Sequence, residues 1–227
     1  MANFGLSHPI MAKLNVATGA YSDAFKCGAA INTSVTPNYN TAALFADNVQ
    51  KEDARELKNA TVELGMDALP IKAGEVLFGH KITKDEDEDE VSNIDDSGSY
   101  VGYGFITEEM ISGEKKYRGC FLPKVMFNEG TESYKTKGNS IEFSTPSISG
   151  TAIGNNAKDW RRKSKHFDTE KECDAWILKK MGLSDQLETL YAQAGMVQVS
   201  TDQTNAMKEV TTKEAATKKI DPQTADK

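Results

Sequence analysis

Apolar and polar residues alternate with a period of two through the first two-thirds of the chain, which is the pattern of half-buried β-strands. The clearest example is residues 59–69, where Val62 and Leu64 alternate with Thr61 and Glu63. Further strands are predicted over residues 100–105, 115–127 and 140–150, with weaker strands over 10–16, 25–36 and 41–45. The chain is therefore expected to be mainly β, with a minor helical part.

Proline and glycine interrupt these predicted strands at defined points. A short helix is predicted over residues 70–79, because Pro70 suits a first helical turn and Gly79 suits a C-cap. Pro123 and Pro146 fall inside predicted strands. Since proline cannot donate to a sheet ladder, each of these strands is expected to be bulged or to lie at a sheet edge.

The last third of the chain changes from strands to helices. Residues 160–167 are predicted to form a last strand. Thr169 and Glu172 then have the spacing of a capping box, and Gly182 fits the end of the helix that this box begins. A second helical pattern ends at Gly195.

Three regions follow from this pattern. Residues 1–155 are expected to form the β-domain, residues 156–195 a C-terminal strand with a helical extension, and residues 196–227 a flexible tail with little to bury. No stretch has the roughly 18 apolar residues of a membrane helix. The first residues lack a basic segment followed by an apolar core, so a cytoplasmic site of synthesis is expected.

The reactive residue types are too scattered to predict catalysis. Three cysteines and three histidines lie far apart in the sequence, which argues against a disulfide framework and a zinc site. The common nucleotide-binding, protease and hydrolase motifs are absent from the sequence. The glycines of Gly102–Gly104 fall within a predicted strand, where close packing is favoured over a phosphate cradle. The expectation is a protein that is not an enzyme and carries no cofactor and no metal.

Charge is distributed unevenly along an acidic chain. The net charge is -7, from 27 basic and 34 acidic side chains. Proteins that bind nucleic acid are usually basic, so this charge argues against nucleic-acid binding. The basic cluster comprises Lys158, Arg161, Arg162, Lys163 and Lys165. Half of a charged subunit interface or a solvated face is favoured for it over a nucleic-acid patch.

The acidic run at residues 84–90 leaves three interpretations open. A calcium site would use clustered oxygens, but the run lacks the glycine of an EF-hand loop. A solvated loop is favoured, and an electrostatic liner that repels DNA is the third interpretation. The residues of this candidate electrostatic loop are Asp85, Glu86, Asp87, Glu88, Asp89 and Glu90.

Six segments of the sequence resemble a known family. They are YNTAALFADN (39–48), LGMDAL (64–69), LFGHKI (77–82), YVGYGF (100–105), KKYRGCFLPKVMF (115–127) and SYKTKGNSIEFSTPSISGT (133–151). The most specific piece is Tyr134-Lys135-Thr136-Lys137-Gly138, followed by Ile141-Glu142-Phe143 and a Thr-Pro strand. Over residues 5–153 the chain resembles the major tail proteins, or tail tube proteins, of siphophages that infect Gram-positive bacteria. Some members carry an immunoglobulin-like domain after this core, where this chain has a short helical piece and a tail.

This resemblance implies a fold and a function. The fold is a β-sandwich or partly closed barrel with one flanking helix. Six copies would form a ring, and the rings would stack into a tube around a tape measure protein, between terminator and baseplate proteins. Double-stranded DNA would pass without specific binding, and the chain would be part of the virion after assembly in the host cytoplasm. A soluble β-sandwich module that binds carbohydrate or a cell surface is the alternative.

One stretch is predicted to contact the next ring. Residues 47–58 are too charged for a core and, as a connection, too long for a tight turn. The candidate ring-stacking residues are Asp47, Asn48, Val49, Lys51, Glu52, Asp53 and Arg55.

Overall fold

The computed structural model describes residues 2–83, 89–131, 136 and 145–195. The chain divides into two units, residues 1–190 and residues 191–227, and only residues 191–195 of the second unit are described. The predicted flexible tail, residues 196–227, therefore lies outside the described residues.

Antiparallel strands make up most of the described chain, which confirms the expected mainly β class. The strands of the described chain are β1 (Ala2–Leu14), β2 (Tyr21–Lys26), β3 (Ala30–Ala46), β4 (Val49–Met66), β5 (Lys81–Ile82), β6 (Glu90–Val91), β7 (Val101–Ile111), β8 (Glu114–Asn128), β9 (Ser147–Ala152) and β10 (Arg162–Phe167). The helical segments are α1 (Ile71–Ala73), a π-helical turn (Gly74–Phe78), α2 (Glu170–Met181), a 3₁₀ turn (Ser184–Gln186) and α3 (Leu187–Gly195).

One large sheet with the order β2-β1-β7-β8-β9-β4-β3 organises the fold, and β5 pairs separately with β6. Strand β8 is shared: β10 pairs with its first half, around Cys120, and β9 pairs with its second half, around Val125. The sheet does not close into a barrel. Strands β2 and β3 are therefore edge strands of this sheet.

The two faces of the sheet carry two separate hydrophobic cores. In β7 the side chains of Val101, Tyr103 and Phe105 belong to one core, as the alternation predicts, and Ile106 belongs to the other. The first core also contains β4, β8 and the π-helical turn, while α2 covers the second core. A period of two places successive side chains on opposite faces, so one strand serves both cores.

Gly102 and Gly104 lie on the face of β7 opposite Tyr103. A Cβ atom on Gly104 would lie 2.4 Å from Cγ2 of Ile177 in α2, and one on Gly102 would lie 2.7 Å from Cε1 of Tyr21. The packing interpretation of these two glycines is confirmed.

The helix ends follow the local signals in the sequence. Thr169 and Glu172 form the capping box of α2, and Gly182 ends the helix in a left-handed conformation with a φ of 73°. Such a cap contributes about 1 kcal/mol. The short helix ends at Gly79, also left-handed with a φ of 87°, although its second part is π-helical, which the sequence pattern does not predict.

One strand prediction requires correction, one bulge prediction is confirmed, and one predicted strand lies partly outside the described residues. Residues 25–36 are not one strand, because Gly28, with a φ of 68°, separates β2 from β3. The predicted bulge near Pro123 is confirmed by a shift in the register between β7 and β8. Of the strand predicted over residues 140–150, only its end in β9 is described, and Ile141 and Phe143 lie outside the described residues.

Candidate assembly interface

A long hairpin arm extends from the sheet at the ends of β3 and β4. Its strands pair from Tyr39 opposite Leu57 to Ala46 opposite Val49, with one register shift between Leu44 and Phe45, whereas β9 covers β4 only over residues 60–65. We define residues 39–57 as the arm. At about 3.3 Å per residue its strands are roughly 25 Å long, and in the described chain they pair only with each other.

A two-residue turn closes the arm. Asp47 and Asn48 have φ angles of 50° and 62°, and positive φ at both central positions is the geometry of a type I′ turn. Asp and Asn are among the side chains that accept this conformation most readily. The expectation that residues 47–58 form a long connection is therefore wrong: only Asp47 and Asn48 form the turn, and the rest is strand.

The arm exposes apolar side chains on both of its faces. Every residue from Tyr39 to Glu56 is exposed. The exposed fractions are 58% for Leu44 and 64% for Phe45, which point to opposite faces because they are neighbours in a strand. Val49 is 57% exposed and Tyr39 52%. An isolated two-stranded hairpin is marginally stable in water, so such an arm gains stability when a partner surface covers it.

The structure places all seven candidate stacking residues on this arm. Asp47 and Asn48 form its turn, and Val49 begins β4. Asp53 and Arg55 share one face as an exposed ion pair of 3.6 Å, while Glu52 lies opposite Leu44. The seven residues predicted from the sequence do not include the apolar residues of β3, of which Leu44 and Phe45 are the most exposed.

Of the acidic run, the structure describes only the last two residues, Asp89 and Glu90. Asp85, Glu86, Asp87 and Glu88 lie outside the described residues. The backbone nitrogen of Thr83 donates to the carbonyl oxygen of Asp89 at 2.9 Å, so the two ends of the run lie side by side. Glu90 accepts from the imidazole of His80, with Oε1 2.7 Å from Nδ1.

All three histidines contact carboxylates that are distant in the sequence. His8 lies 2.7 Å from Asp174, and His166 lies 2.8 Å from the buried Glu109. His80, besides Glu90, contacts Glu129 at 2.8 Å through Nε2. The sequence favours structural histidines with satisfied hydrogen bonds over metal ligands or general bases, and the fold supplies partners for them that sequence spacing does not reveal.

A groove separates the start of β1 and β3 from the face formed by β7, β8 and β10. Its volume is about 320 Å³, and the charged side chains that line it are Arg118, Arg161, Lys163 and Glu109. Glu109 is already engaged by His166 and lies 4.0 Å from Arg118. The basic cluster of the sequence thus contributes Arg161 and Lys163 to the groove, and among the described lining residues three basic side chains face one acidic side chain.

The described residues contain little that resembles a reaction centre. Among them, no group of three or more His, Cys, Asp or Glu side chains is arranged to hold a metal ion. Cys27, Cys120 and Cys173 are buried and form no disulfide. Burial raises the pKa of the Cys27 and Cys173 thiols to about 12, which disfavours the reactive thiolate.

Comparison with known proteins gives no assignment. No family model matches the chain, and no curated protein is significantly similar to it. Within the described residues, no helix has the length and apolarity needed to cross a membrane. The resemblance to siphophage tail proteins therefore stays a prediction from the six sequence segments.

Proposed function

We propose that the chain is a structural subunit that self-assembles, through its arm and sheet edges, into the stacked rings of a siphophage tail tube. The rings, six-membered by the resemblance, enclose a tape measure protein during assembly and later conduct double-stranded DNA. The tube meets terminator and baseplate proteins at its ends, and the protein belongs to the virion. No catalytic step is part of this role.

The single observation that carries the proposal is the exposed arm. Leu44 and Phe45 are more than half exposed on opposite faces of a hairpin that has no second layer in the described chain. Burying such a side chain stabilises by roughly 1.5–3 kcal/mol. A partner surface that covers both faces would therefore contribute several kcal/mol, and stacked copies of this chain supply such surfaces repeatedly.

The open sheet gives a second line of support. Strand β3 is an edge strand along its full length of 17 residues, and β2 forms the opposite edge. An exposed edge offers unpaired N–H and C=O groups to another chain. Copies related by rotation, each adding an edge to its neighbour, would close into a ring.

Overall charge agrees with passage of DNA rather than its retention. The chain carries a net charge of -7, so a bore lined by average surface repels phosphates. Proteins that bind DNA gain affinity by releasing counterions from neutralised phosphates, and a negative wall does not provide this gain.

Truncation of the arm tests the proposal. Replacing residues 42–54 with Asn-Gly joins Thr41 to Arg55, which are cross-strand partners, and keeps a type I′ turn. The truncated protein is expected to unfold at the same temperature as the wild type and to stay monomeric where the wild type forms rings or tubes in negative-stain electron microscopy. A control with Asp47→Asn and Asn48→Gly keeps the arm and should assemble. Tube formation by the truncated protein, or a strictly monomeric wild type, would refute the proposal.

A further inference from the structure

The groove lined by Arg118, Arg161 and Lys163, which we call the basic groove, has an apolar floor beneath its cationic rim. Phe105 of β7 lies opposite Cys120 of β8, which in turn lies opposite Lys163 of β10. Side chains at paired positions of neighbouring strands share one face of the sheet. Phe105 and Cys120 are buried, whereas Lys163 is exposed. One row of the sheet therefore leads from the apolar floor to the cationic rim.

Two further apolar side chains widen this floor. Leu6 of β1 and Val35 of β3 line the basic groove, and both are half-buried against the first core. A molecule on this floor would therefore remove apolar surface from water, which favours its binding. The groove volume of about 320 Å³ lies at the small end of the range of about 300–1,000 Å³ for ligand sites. The floor thus fits the apolar body of one small molecule.

Two of the three rim cations are held by contacts within the chain. The Nε atom of Arg118 donates to the carbonyl oxygen of Ser164 at 3.0 Å. The guanidinium of Arg161 lies over the ring of Trp160, with Cζ 4.4 Å from the ring centroid. A guanidinium whose orientation is already restricted loses less side-chain entropy when it binds an anion. The rim is thus partly preorganised for a negatively charged group.

The one carboxylate in the lining leaves most of the rim charge uncompensated. Glu109 is buried, and its Oε2 lies 2.8 Å from Nε2 of His166. Its Oε1 lies 4.0 Å from the guanidinium of Arg118. Among the side chains that the structure describes, no carboxylate forms an ion pair with Arg161 or Lys163. An anion in the basic groove would supply the missing partner of these two cations.

We propose that the basic groove binds a small organic anion, with its phosphate or carboxylate head at Arg161 and Lys163 and its apolar body over Phe105. The guanidinium fork matches the oxygens of either head, and the lysine adds a point charge. A DNA duplex fits less well, because its exposed backbone presents phosphates and sugars to a protein and leaves the apolar floor uncovered. A free metabolite and a lipid head group share this chemistry. The site does not depend on the proposed function.

Three related probes test the rim and the floor separately in calorimetric titrations of the full chain. Naphthyl phosphate has both a charged head and an apolar body, naphthol lacks the charge, and inorganic phosphate lacks the body. We expect naphthyl phosphate to bind at least about tenfold more tightly than either of the others, because it alone uses the rim and the floor together. Its affinity should fall between about 0.05 and 0.5 M NaCl, as the screening length shortens.

Substitutions then locate the site. The rim variant, Arg161→Gln with Lys163→Gln, should bind naphthyl phosphate at least about tenfold less tightly, because two charge-assisted hydrogen bonds are lost. The floor variant, Val35→Thr, should weaken naphthyl phosphate by about fourfold, through one lost apolar methyl contact, and leave inorganic phosphate unchanged. The matched control, Arg162→Gln with Lys165→Gln, removes the same charge from side chains of β10 that do not line the groove. It should bind like the wild type.

Dodecyl phosphate distinguishes the two sources of the ligand, since it carries the same head on a lipid-like chain. Tighter binding than naphthyl phosphate would support a lipid, and weaker binding would support a free small anion. No binding of naphthyl phosphate by the wild type, or equal affinity in the rim variant, would refute the site. Equal affinity for inorganic phosphate would show that the floor takes no part and would also overturn it. Displacement of naphthyl phosphate by a short DNA duplex would assign the groove to polymer phosphates instead.

Discussion

The Nδ1 atom of His8 lies 2.7 Å from Oδ2 of Asp174, a pair that is separated by 166 residues and joins β1 to α2. Asp174 is fully buried, and a buried carboxylate is costly when a hydrogen-bond donor is removed. His8 also has a φ of 51°, at a break in the register between β1 and β7. The residue thus has both a backbone role and a side-chain role.

Replacement of His8 separates these two roles. His8→Ala removes the imidazole that contacts Asp174 and places a residue that disfavours positive φ at this position. We expect it to lower the free energy of unfolding by roughly 2–4 kcal/mol. His8→Asn keeps the backbone preference and should cost about 1 kcal/mol less. Urea unfolding curves measure both values. An Ala variant with the wild-type midpoint would show that Asp174 does not depend on this imidazole.

Local sequence patterns predict those parts of the fold that local chemistry determines. The alternation of Val101, Tyr103 and Phe105, the capping box of Thr169 and the C-cap at Gly182 are all confirmed. Each depends on residues within a few positions of one another. The partners of the three histidines depend on the tertiary fold instead, as the 166-residue separation of His8 and Asp174 illustrates.

The arm shows where a hydrophobic pattern fails to predict a strand. From residue 49 to residue 56 the chain is charged and exposed on both faces, so no alternation marks it, because alternation reports a face buried in the same subunit. The turn at Asp47 and Asn48 lacks the glycine that identifies most type I′ turns. The sequence therefore indicates an unusual segment at residues 47–58 without indicating its hairpin geometry.

Close packing at Gly104 predicts a coupled pair of substitutions. Gly104→Ala places a Cβ atom 2.4 Å from Cγ2 of Ile177 and should cost about 1–3 kcal/mol through overpacking. Ile177→Ala alone should cost about 2–5 kcal/mol through the cavity it leaves. The double variant should lose less stability than the two single variants lose together, by at least about 0.5 kcal/mol. Thermal or urea unfolding measures all three losses.

Gly154→Ala is the control for this pair, since its Cβ atom would meet Lys158 only at 3.7 Å. It should leave stability nearly unchanged. Strict additivity of Gly104→Ala and Ile177→Ala would contradict the contact between β7 and α2.

Buried cysteine thiols and a partly buried tyrosine hydroxyl predict how the stability of the protein changes at alkaline pH. Burial raises the pKa of Cys27, Cys173 and Tyr21 to about 12 in the folded protein, above the values of about 8.5 and 10 in an unfolded chain. Between these values the folded state binds more protons than the unfolded state, so stability falls as pH rises. We expect the urea midpoint to be constant from about pH 7 to 8 and to decrease progressively above about pH 9.

Thiol labelling at pH 8 provides the companion measurement. Because Cys27, Cys120 and Cys173 are buried, an aromatic disulfide reagent should react at a rate set by unfolding, and all three should react at once in guanidinium. Native labelling as fast as that of a small free thiol would contradict the burial of these side chains.

Substitution of the exposed Phe45 is expected to affect assembly without affecting the fold. The ring is 64% exposed and lies opposite Gln50 at the end of the arm. Phe45→Ser should therefore change the melting temperature of the monomer very little, because surface substitutions usually alter stability by less than about 0.5 kcal/mol. If a second copy covers this ring, losing roughly 1.5–3 kcal/mol of burial should raise the concentration needed for assembly at least about tenfold.

Sedimentation velocity over a concentration series measures this shift, and electron microscopy identifies the assembled species. Gln50→Ser, at the cross-strand partner of Phe45, is the matched control and should assemble like the wild type, since it removes little apolar surface. Equal assembly of the two variants would mean that no second copy covers Phe45, and that the apolar side chain of Phe45 does not contribute to assembly.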